Sequence, residues 1–257
     1  MADNELRIAT WNVNGLDATH LDLRSEAACL TLLLRGKLPH VVLLQEVVRR
    51  SFFAHFRPHL LHAGFTLFPE APVSDSEYFC VLASRLPVLE SWRRPFPGSA
   101  MGRALLGARL GAGLDAGLDD AAQPDLLVTT AHLESLKAGS AERVAQLEQA
   151  LRLIADHPGP AVFAGDTNLR DAEVPRAPSA AEVDDAWIAA GSPRAADHTW
   201  TPPNSPRPRM RFDRAYMNRR PGWRAAAVVA FGKDPVEGAG GLTPSDHFGL
   251  EVTFEVG

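Results

Sequence analysis

Throughout the sequence, short apolar runs lead into polar side chains able to handle phosphate or a hard cation. Asn12 and Asn14 follow LRIATW, Gln45 and Glu46 follow VVLL, and His132, Glu134 and Ser135 follow VTTA. Asp166, Asn168 and Arg170 follow AVFAG, Asp213 sits in MRFDRAYM, and Asp246 and His247 precede FGL. Alone, each has a plain structural explanation. Asn-x-Asn-Gly suits a turn because Asn and Gly tolerate positive φ, GDTN suits an Asx-turn, and a single His is commonly a satisfied hydrogen-bonding group. Together they supply carboxylates, carboxamides and two imidazoles, with no Lys base, Cys nucleophile or His-rich zinc pattern. Glu46, Asn14 and Asp246 fit a hard cation, because Mg²⁺ takes one or two carboxylates and keeps waters and substrate phosphate as its other ligands. Asp166 can orient and deprotonate a water with Asn168 beside it. A His247 imidazolium, paired with a carboxylate such as Asp213, can meet charge on phosphoryl oxygens. These are the parts of metal-assisted phosphoester hydrolysis.

Such side chains converge only if rigid elements aim them at one rim. Patterning predicts strands at Leu6–Val13, Val41–Glu46, Phe65–Phe68, Phe79–Ser84, Arg103–Leu110, Leu126–His132, Ala161–Ala164, Arg211–Met217, Ala225–Phe231 and Phe248–Val256. Helical patterns cover Leu23–Leu34, Ser51–His62, Ala141–His157 and Ala180–Ala189. In the third, Ser140 is the expected N-cap, and Val144, Leu147, Leu151 and Ile154 make one apolar stripe. Many strands with few helices predict a four-layer α/β sandwich, two stacked mixed sheets flanked by helices, forming one domain over residues 1–257.

A hydrophobic share of 46% with 22% charged residues excludes fibrous and disordered chains. The net charge of −5 argues against sequence-blind coating of nucleic acid or anionic membrane. Any nucleic acid must be held locally. The basic residues are 23 Arg and 3 Lys, with seven of the Arg between Asn204 and Arg224. That stretch reads either as a solvated face or as a short track for phosphates. Arg85, Arg93, Arg94, Arg103 and Arg109 form a second, looser group, while Gly111–Pro124 is acidic. The two cysteines, Cys29 and Cys80, sit in apolar runs and read as buried thiols. No run is apolar and long enough to span a membrane, and the N-terminal residues lack a signal-peptide pattern. The expectation is an intracellular, cytoplasmic monomer.

The strings TWNVNGL, LLQEV, HLES, GDTNLRD, RFDR and SDHFGL, in this order, resemble the signature of the endonuclease/exonuclease/phosphatase superfamily. Within it, HLES followed by AERVAQL, GDTNLRDAEV, DAW, HTW and PSDHFGL are similar to the 5′-tyrosyl-DNA phosphodiesterase branch. The resemblance spans about Leu6 to Phe254. It implies Mg²⁺ dependence, with Mn²⁺ as an alternative ion, and hydrolysis of the bond between a tyrosine side chain and a DNA 5′-phosphate. Carried onto this sequence, it implies Glu46 as principal metal ligand, with Asn14 and Asp246 on the metal side, and Asn12 on phosphate. It further implies Asp166 as water activator, Asn168 on the phosphoryl group, His247 as transition-state stabiliser and Asp213 as its support. His132, Ser135, Asn168 and Arg170 match positions that hold the DNA 5′ end, single-stranded or with an overhang, and Trp200 resembles an aromatic that meets the DNA; His132 is counted with the catalytic residues, and Asn14, Lys137 and Arg103 are further expected to bind substrate.

Some positions depart from the pattern. Asn14 stands where relatives commonly have Asp, Phe248 where they have Trp, and Lys137 where animal members tend to have Arg. The ubiquitin-binding extension of animal members is not expected here. Other branches, such as an abasic-site endonuclease, a general nuclease or a lipid phosphoesterase, remain as alternatives, as does a non-catalytic DNA-end binder.

Overall fold

A computed structural model describes residues 5–72, 77–111, 125–202 and 209–256. The acidic stretch after Gly111 and Arg207 of the basic stretch lie outside the described residues. Two six-stranded mixed sheets stack face to face. The first, in order β11-β12-β1-β2-β4-β3, contains β1 (Glu5–Asn12), β2 (Val41–Val48), β3 (Thr66–Phe68), β4 (Tyr78–Ser84), β11 (Trp223–Phe231) and β12 (Gly249–Val256). The second, in order β5-β6-β7-β8-β10-β9, contains β5 (Val88–Pro95), β6 (Ala104–Leu110), β7 (Leu126–Thr130), β8 (Ala161–Asp166), β9 (Val183–Asp185) and β10 (Asp213–Asn218). Helices α1 (Leu21–Leu33), α2 (Arg49–Ser51) and α3 (Arg57–His62) cover the first sheet, and α4 (Ser140–Asp156) covers the second. A short α5 (Ala186–Ala189) follows β9.

The layering follows from strands buried on both faces. In β2, Val41 and Leu43 face the inter-sheet core with Leu82, Val128, Val162 and Val252. Val42 and Leu44 point the other way, onto Phe52, Phe56 and Leu32 beneath the helices. A continuous VVLL run, rather than an alternating one, is what such a strand requires. On α4, the expected stripe of Val144, Leu147, Leu151 and Ile154 is buried against Phe163 and Leu127. The expected four-layer sandwich is thus observed.

Several local expectations are corrected. Ser140 is the first residue of α4 rather than its cap; Gly139 takes the cap position with no side-chain bond. Ala180–Ala189 is not one helix: a 3₁₀ turn at Pro178–Ala181, strand β9 and the short α5 share it. The Ser51–His62 helix contains a π-helical turn, Phe52–Phe56. Strand β5 was hidden because it is an edge strand with Glu90, Arg93 and Arg94 on it, and a register shift between Val88 and Glu90 breaks its alternation.

Candidate active site

The strands that carry the chemistry end at one rim. Asn12, the last residue of β1, lies opposite Gln45 of β2, and Asp166, the last of β8, lies opposite Asp213, the first of β10. His132 bridges to Asp166 just beyond β7, and Trp200 bridges to His247 just before β12. Across the sandwich, the buried Gln45 amide donates to Thr10 Oγ1 (3.1 Å) in its own sheet and to Thr130 Oγ1 (3.0 Å) in the other. Ser245 donates to the Asn12 carbonyl (2.7 Å), and Trp11 Nε1 donates to the His247 carbonyl (2.9 Å). First and last strands are thereby locked together at the rim.

Three residues there adopt left-handed backbone without being glycine: Asn14 (φ 47°), Glu46 (φ 54°) and Asn168 (φ 51°). For Glu46 this is an unfavourable conformation, held by the irregular register between Leu44 and Val47. Gly15 makes it fit, since its N–H donates to the Glu46 carbonyl (3.1 Å) and a Cβ there would lie 2.2 Å from that oxygen. Gly165, before Asp166, meets the Ala131 carbonyl in the same way, with 2.2 Å to a built Cβ. Asn168 closes the expected Asx-turn, donating its N–H to Asp166 Oδ1 (3.0 Å), while its amide donates to the Leu133 carbonyl and Ser135 Oγ (both 3.2 Å).

At the centre, Asp166 Oδ2 accepts from Asn12 Nδ2 (2.8 Å), with His132 Nε2 at 3.3 Å and His247 Nε2 at 3.8 Å. Asn12 also donates to Glu46 Oε1 (3.1 Å). His247 Nδ1 lies 2.7 Å from Asp213 Oδ2, and the Asp213 N–H donates to Thr199 Oγ1 (3.0 Å). Half-buried Asp246 accepts from Trp200 Nε1 (3.1 Å). Trp200 stands 6.5 Å from the His247 ring, centroid to centroid.

Burial and charge set the protonation states. Burial disfavours the His247 imidazolium, but the Asp213 and Asp166 carboxylates outweigh it and push its pKa up to about 10. Burial pulls His132 down to about 3, so it is neutral. Burial would raise Asp166, yet the two imidazoles and the Asn12 amide hold it below the ordinary carboxylate range. Burial also raises Glu46, with Asp166 and Asp246 adding to the effect against the Asn12 hydrogen bond.

The donor set fits a cation. His132 Nδ1 is buried without a hydrogen-bond partner, 3.6 Å from Glu46 Oε1, so in the neutral ring donating from Nε2 a lone pair faces a carboxylate. A positive charge at that rim satisfies both. Among the described residues, ligand atoms of Asp166, Asp213 and His247 also lie within 4.8 Å of one another. The His247–Asp213 hydrogen bond takes the ring's Nδ1 and one Asp213 oxygen, and a protonated His247 has no lone pair to give a metal, so Glu46 is the better oxygen donor for a hard ion.

The remaining expected residues lie around this centre. Asn14 is half-buried and donates its N–H to Asn12 Oδ1 (2.9 Å). Ser135 accepts from Arg103 Nη2 (3.0 Å). Exposed Arg170 leans on Glu173, 3.9 Å away, and Lys137 is exposed in the turn after Ser135. Among the described residues, the arginines from Arg211 to Arg224 do not form a track at the rim. β10 runs from Asp213 at the rim to Asn218 at the far end, so Arg219, Arg220 and Arg224 sit remote from the site. There they bind Asp184, the carbonyls of Ala155 and Pro158, and Glu255. Arg211 and Arg214 pair with Asp185 and Asp171.

Three groups were missed in the sequence. Tyr78 sits under the Arg103 guanidinium, 5.1 Å from ring centroid to Cζ. With Phe68, Phe79, Met101 and His132, these two line a cavity of about 500 Å³ that meets the rim at His132, whose Nε2 lies 3.3 Å from Asp166. Buried Arg24 donates to the carbonyls of Asn14 (3.2 Å) and Pro244 (3.1 Å). Buried Arg143 pairs with Glu173 (2.7 Å) and donates to the carbonyls of Glu134 (2.8 Å) and Leu136 (3.0 Å). A lone Arg in a helical pattern gives no sign of such partners.

Two stacked mixed sheets with an ionised Asp166, a His–Asp pair and the side-chain amides of Asn12 and Asn168 at one rim are the architecture of a phosphodiester hydrolase. The chain belongs to the Endonuclease/Exonuclease/phosphatase family, whose sequence pattern matches residues 9–247. Metal dependence is typical of that family. The chain is 35% identical to tyrosyl-DNA phosphodiesterase 2 of Danio rerio over 98% of its own length and 67% of the relative's. Against the Homo sapiens protein of that name it is 29% identical, covering 97% and 68%. The crystal structure of D. rerio TDP2 complexed with single strand DNA product superposes with a TM-score of 0.83 at 32% identity, covering 98% of this chain and 99% of that one. TDP2 from C. elegans gives a TM-score of 0.80 at 27% identity, covering 98% and 75%.

Proposed function

We propose that this chain hydrolyses the phosphodiester bond between a DNA 5′ end and a tyrosine side chain, and that it does so as one catalytic domain over residues 1–257. The observation that carries this reading is a juxtaposition. Ionised Asp166 stands between two imidazoles and an amide, immediately beside an aromatic cavity that carries a buried arginine. A DNA phosphate suits the first part, and a phenol ring suits the second.

Asp166 holds a water and accepts its proton as the water oxygen bonds to phosphorus. The bond from phosphorus to the tyrosine oxygen breaks, leaving a 5′-phosphate on the DNA. His247 keeps Nδ1–H on Asp213 and presents Nε2–H to a phosphoryl oxygen, where developing negative charge strengthens the bond. Asn12 and Asn168 orient the phosphoryl group, and Ser135 with Arg170 holds the adjoining nucleotide. Tyr78 gives the tyrosyl ring a face, and the unpartnered Nε and Nη1 of Arg103 meet the departing phenolate. Trp200 supplies a stacking face for the 5′ base. Glu46, with Asp246 and Asn14 alongside, would hold a Mg²⁺ ion, with Mn²⁺ as alternative, and the bound ion would supply Lewis-acid polarisation of the phosphate. The free thiols Cys29 and Cys80 support a reducing, intracellular setting. Among the described residues no helix is long and apolar enough to cross a membrane.

The test offers three substrates with Mg²⁺: a 5′-tyrosyl oligonucleotide, a 3′-tyrosyl one and an abasic duplex. The 5′-tyrosyl substrate should be preferred, and preference for the abasic duplex would overturn the reading. Glu46→Ala and Asp166→Asn should each abolish turnover; full activity in either discredits the mechanism.

A further inference from the structure

Arg103 is where a substrate-facing group depends on something outside the reaction centre. It is 6% exposed, one guanidinium nitrogen donates to Ser135 Oγ (3.0 Å), and Nε and Nη1 have no partner. Two unspent donors are useful only if their direction is fixed, and Arg103 stands at the end of a turn rather than inside a strand. The β5–β6 connection runs through exposed Pro97, Gly98, Ala100 and Met101 before reaching it. One side chain braces that turn from within. The Ser99 hydroxyl accepts the Arg103 N–H (2.8 Å) and donates to the Glu134 carboxylate (2.6 Å). Glu134 is 3% exposed and is itself held by Gln146, which donates from Nε2 to the carboxylate (3.2 Å) and accepts the Glu134 N–H (2.7 Å).

We propose that Ser99 and Glu134 are positioning residues for Arg103, aiming its free N–H groups at the departing oxygen of the substrate. Chemistry fixes the direction of the chain. An ionised carboxylate only accepts, so the Ser99 O–H must point to Glu134 and its lone pair must face the Arg103 N–H. Consecutive residues therefore grip both ends of the arginine: Glu134 holds its main chain through Ser99, and Ser135 holds its guanidinium. Helix α4 anchors the grip through Gln146 and through Arg143, which donates to the Glu134 and Leu136 carbonyls. Neither Ser99 nor Glu134 touches the substrate.

This inference rests on the 5′-tyrosyl reading of the site, and the experiment separates the two. Steady-state kcat and KM are measured with Mg²⁺ on a 5′-tyrosyl oligonucleotide and on the p-nitrophenyl ester of thymidine 5′-phosphate, whose phenolate departs with less help. Ser99→Ala should lower kcat on the tyrosyl substrate about 10-fold with KM within about 2-fold, and lower the nitrophenyl rate less than about 2-fold. Ser99→Thr, which keeps the hydroxyl, should restore the rate, and Glu134→Gln should behave as Ser99→Ala. Combined with Arg103→Ala, Ser99→Ala should cost nothing further, because the coupled pair is already broken. Equal losses on both substrates, or additive losses in the double variant, reduce Ser99 to a structural residue and overturn the inference. Wild-type protein that leaves the tyrosyl substrate intact overturns the functional reading and this inference with it. An S99A protein with the wild-type rate overturns this inference alone.

Discussion

Asp213→Asn removes a charge from the site while keeping its shape. The amide oxygen still accepts the Nδ1–H that Asp213 now accepts at 2.7 Å, so the ring orientation is retained. What is lost is the largest of the attractions that together raise His247 from its ordinary 6.5 to about 10. That rise corresponds to about 4–5 kcal/mol in favour of the imidazolium. Burial opposes the charged ring, and Asp166, 3.8 Å from Nε2, remains to support it with a smaller contribution from Asp246. The pKa should fall to about 6.5 or below, leaving about 3% or less of the ring protonated at about pH 8. A site that needs the imidazolium then loses at least roughly 30-fold in kcat/KM at about pH 8 and recovers on acidification to about pH 6. The same shift affects stability. A folded-state pKa above the unfolded value contributes stability that is complete below about 6.5 and is lost as pH rises through about 10. Wild-type Tm should therefore decline across that alkaline window, more steeply than that of D213N. The assays are a pH–rate profile and imidazole nitrogen NMR. A rate loss equal at about pH 6 and about pH 9, with the ring still protonated, would refute the reasoning.

Three further outcomes follow from other contacts. Glu173→Gln leaves Arg143 charged in a fully buried position, and should lower unfolding stability by about 3–5 kcal/mol in denaturant titration. Wild-type Glu173 has its pKa lowered to about 2, with the Arg143, Arg170 and Ser140 hydrogen bonds outweighing burial. Its contribution is present above about pH 4.5 and lost as pH falls through about 2, so the variant should have a flatter acid limb. Gly15→Ala drives a methyl against the Glu46 carbonyl, 2.2 Å from the built Cβ, and should cost about 1–3 kcal/mol while raising the Mg²⁺ concentration for half-maximal activity. Trp200→Ala should weaken single-stranded DNA binding by about 1–3 kcal/mol in fluorescence anisotropy without sequence preference; unchanged affinity would remove Trp200 from the DNA path.

Much of the site could be read from the sequence because each of its side chains ends or follows an apolar run. Asn12, Asp166 and His247 sit next to strands whose patterning is unambiguous, and strands that start or stop at one rim bring their neighbours together. What could not be read depends on direction and on burial of charge. The Arg-rich stretch looked like a phosphate track because it lies close in sequence to Trp200 and Asp213. One strand of six residues, β10, carries Arg219 and Arg220 to the opposite end of the sheet. Gln45 follows VVLL as a polar residue at a strand's end, yet it is fully buried and ties the two sheets through Thr10 and Thr130. Tyr78 and Ser99 follow weakly patterned segments, and their partners, Arg103 and Glu134, lie far enough along the chain that no local rule joins them.

The same contacts bear on the net charge of −5, which seemed a poor match for DNA. Glu46, Asp166, Asp213 and Asp246 crowd one rim, and of the two imidazoles among them only His247 is held charged. The burial that raises Glu46 is the cost of placing an oxygen donor where bulk water cannot serve it. Left-handed backbone at Asn14, Glu46 and Asn168 adds strain at the same rim. Self-repulsion and strain in one place are tolerable if the partner that binds there is cationic, and a hard divalent ion is the partner whose chemistry this donor set matches. Meanwhile Arg211, Arg214, Arg219 and Arg224 are spent on Asp and Glu partners of the fold. Their positive charge is therefore unavailable for a long DNA footprint. Attraction for a phosphate then rests on a cation held by Glu46 and Asp246, on the charged His247 and on Arg103, which suits the proposed single 5′ end better than a duplex held along its length.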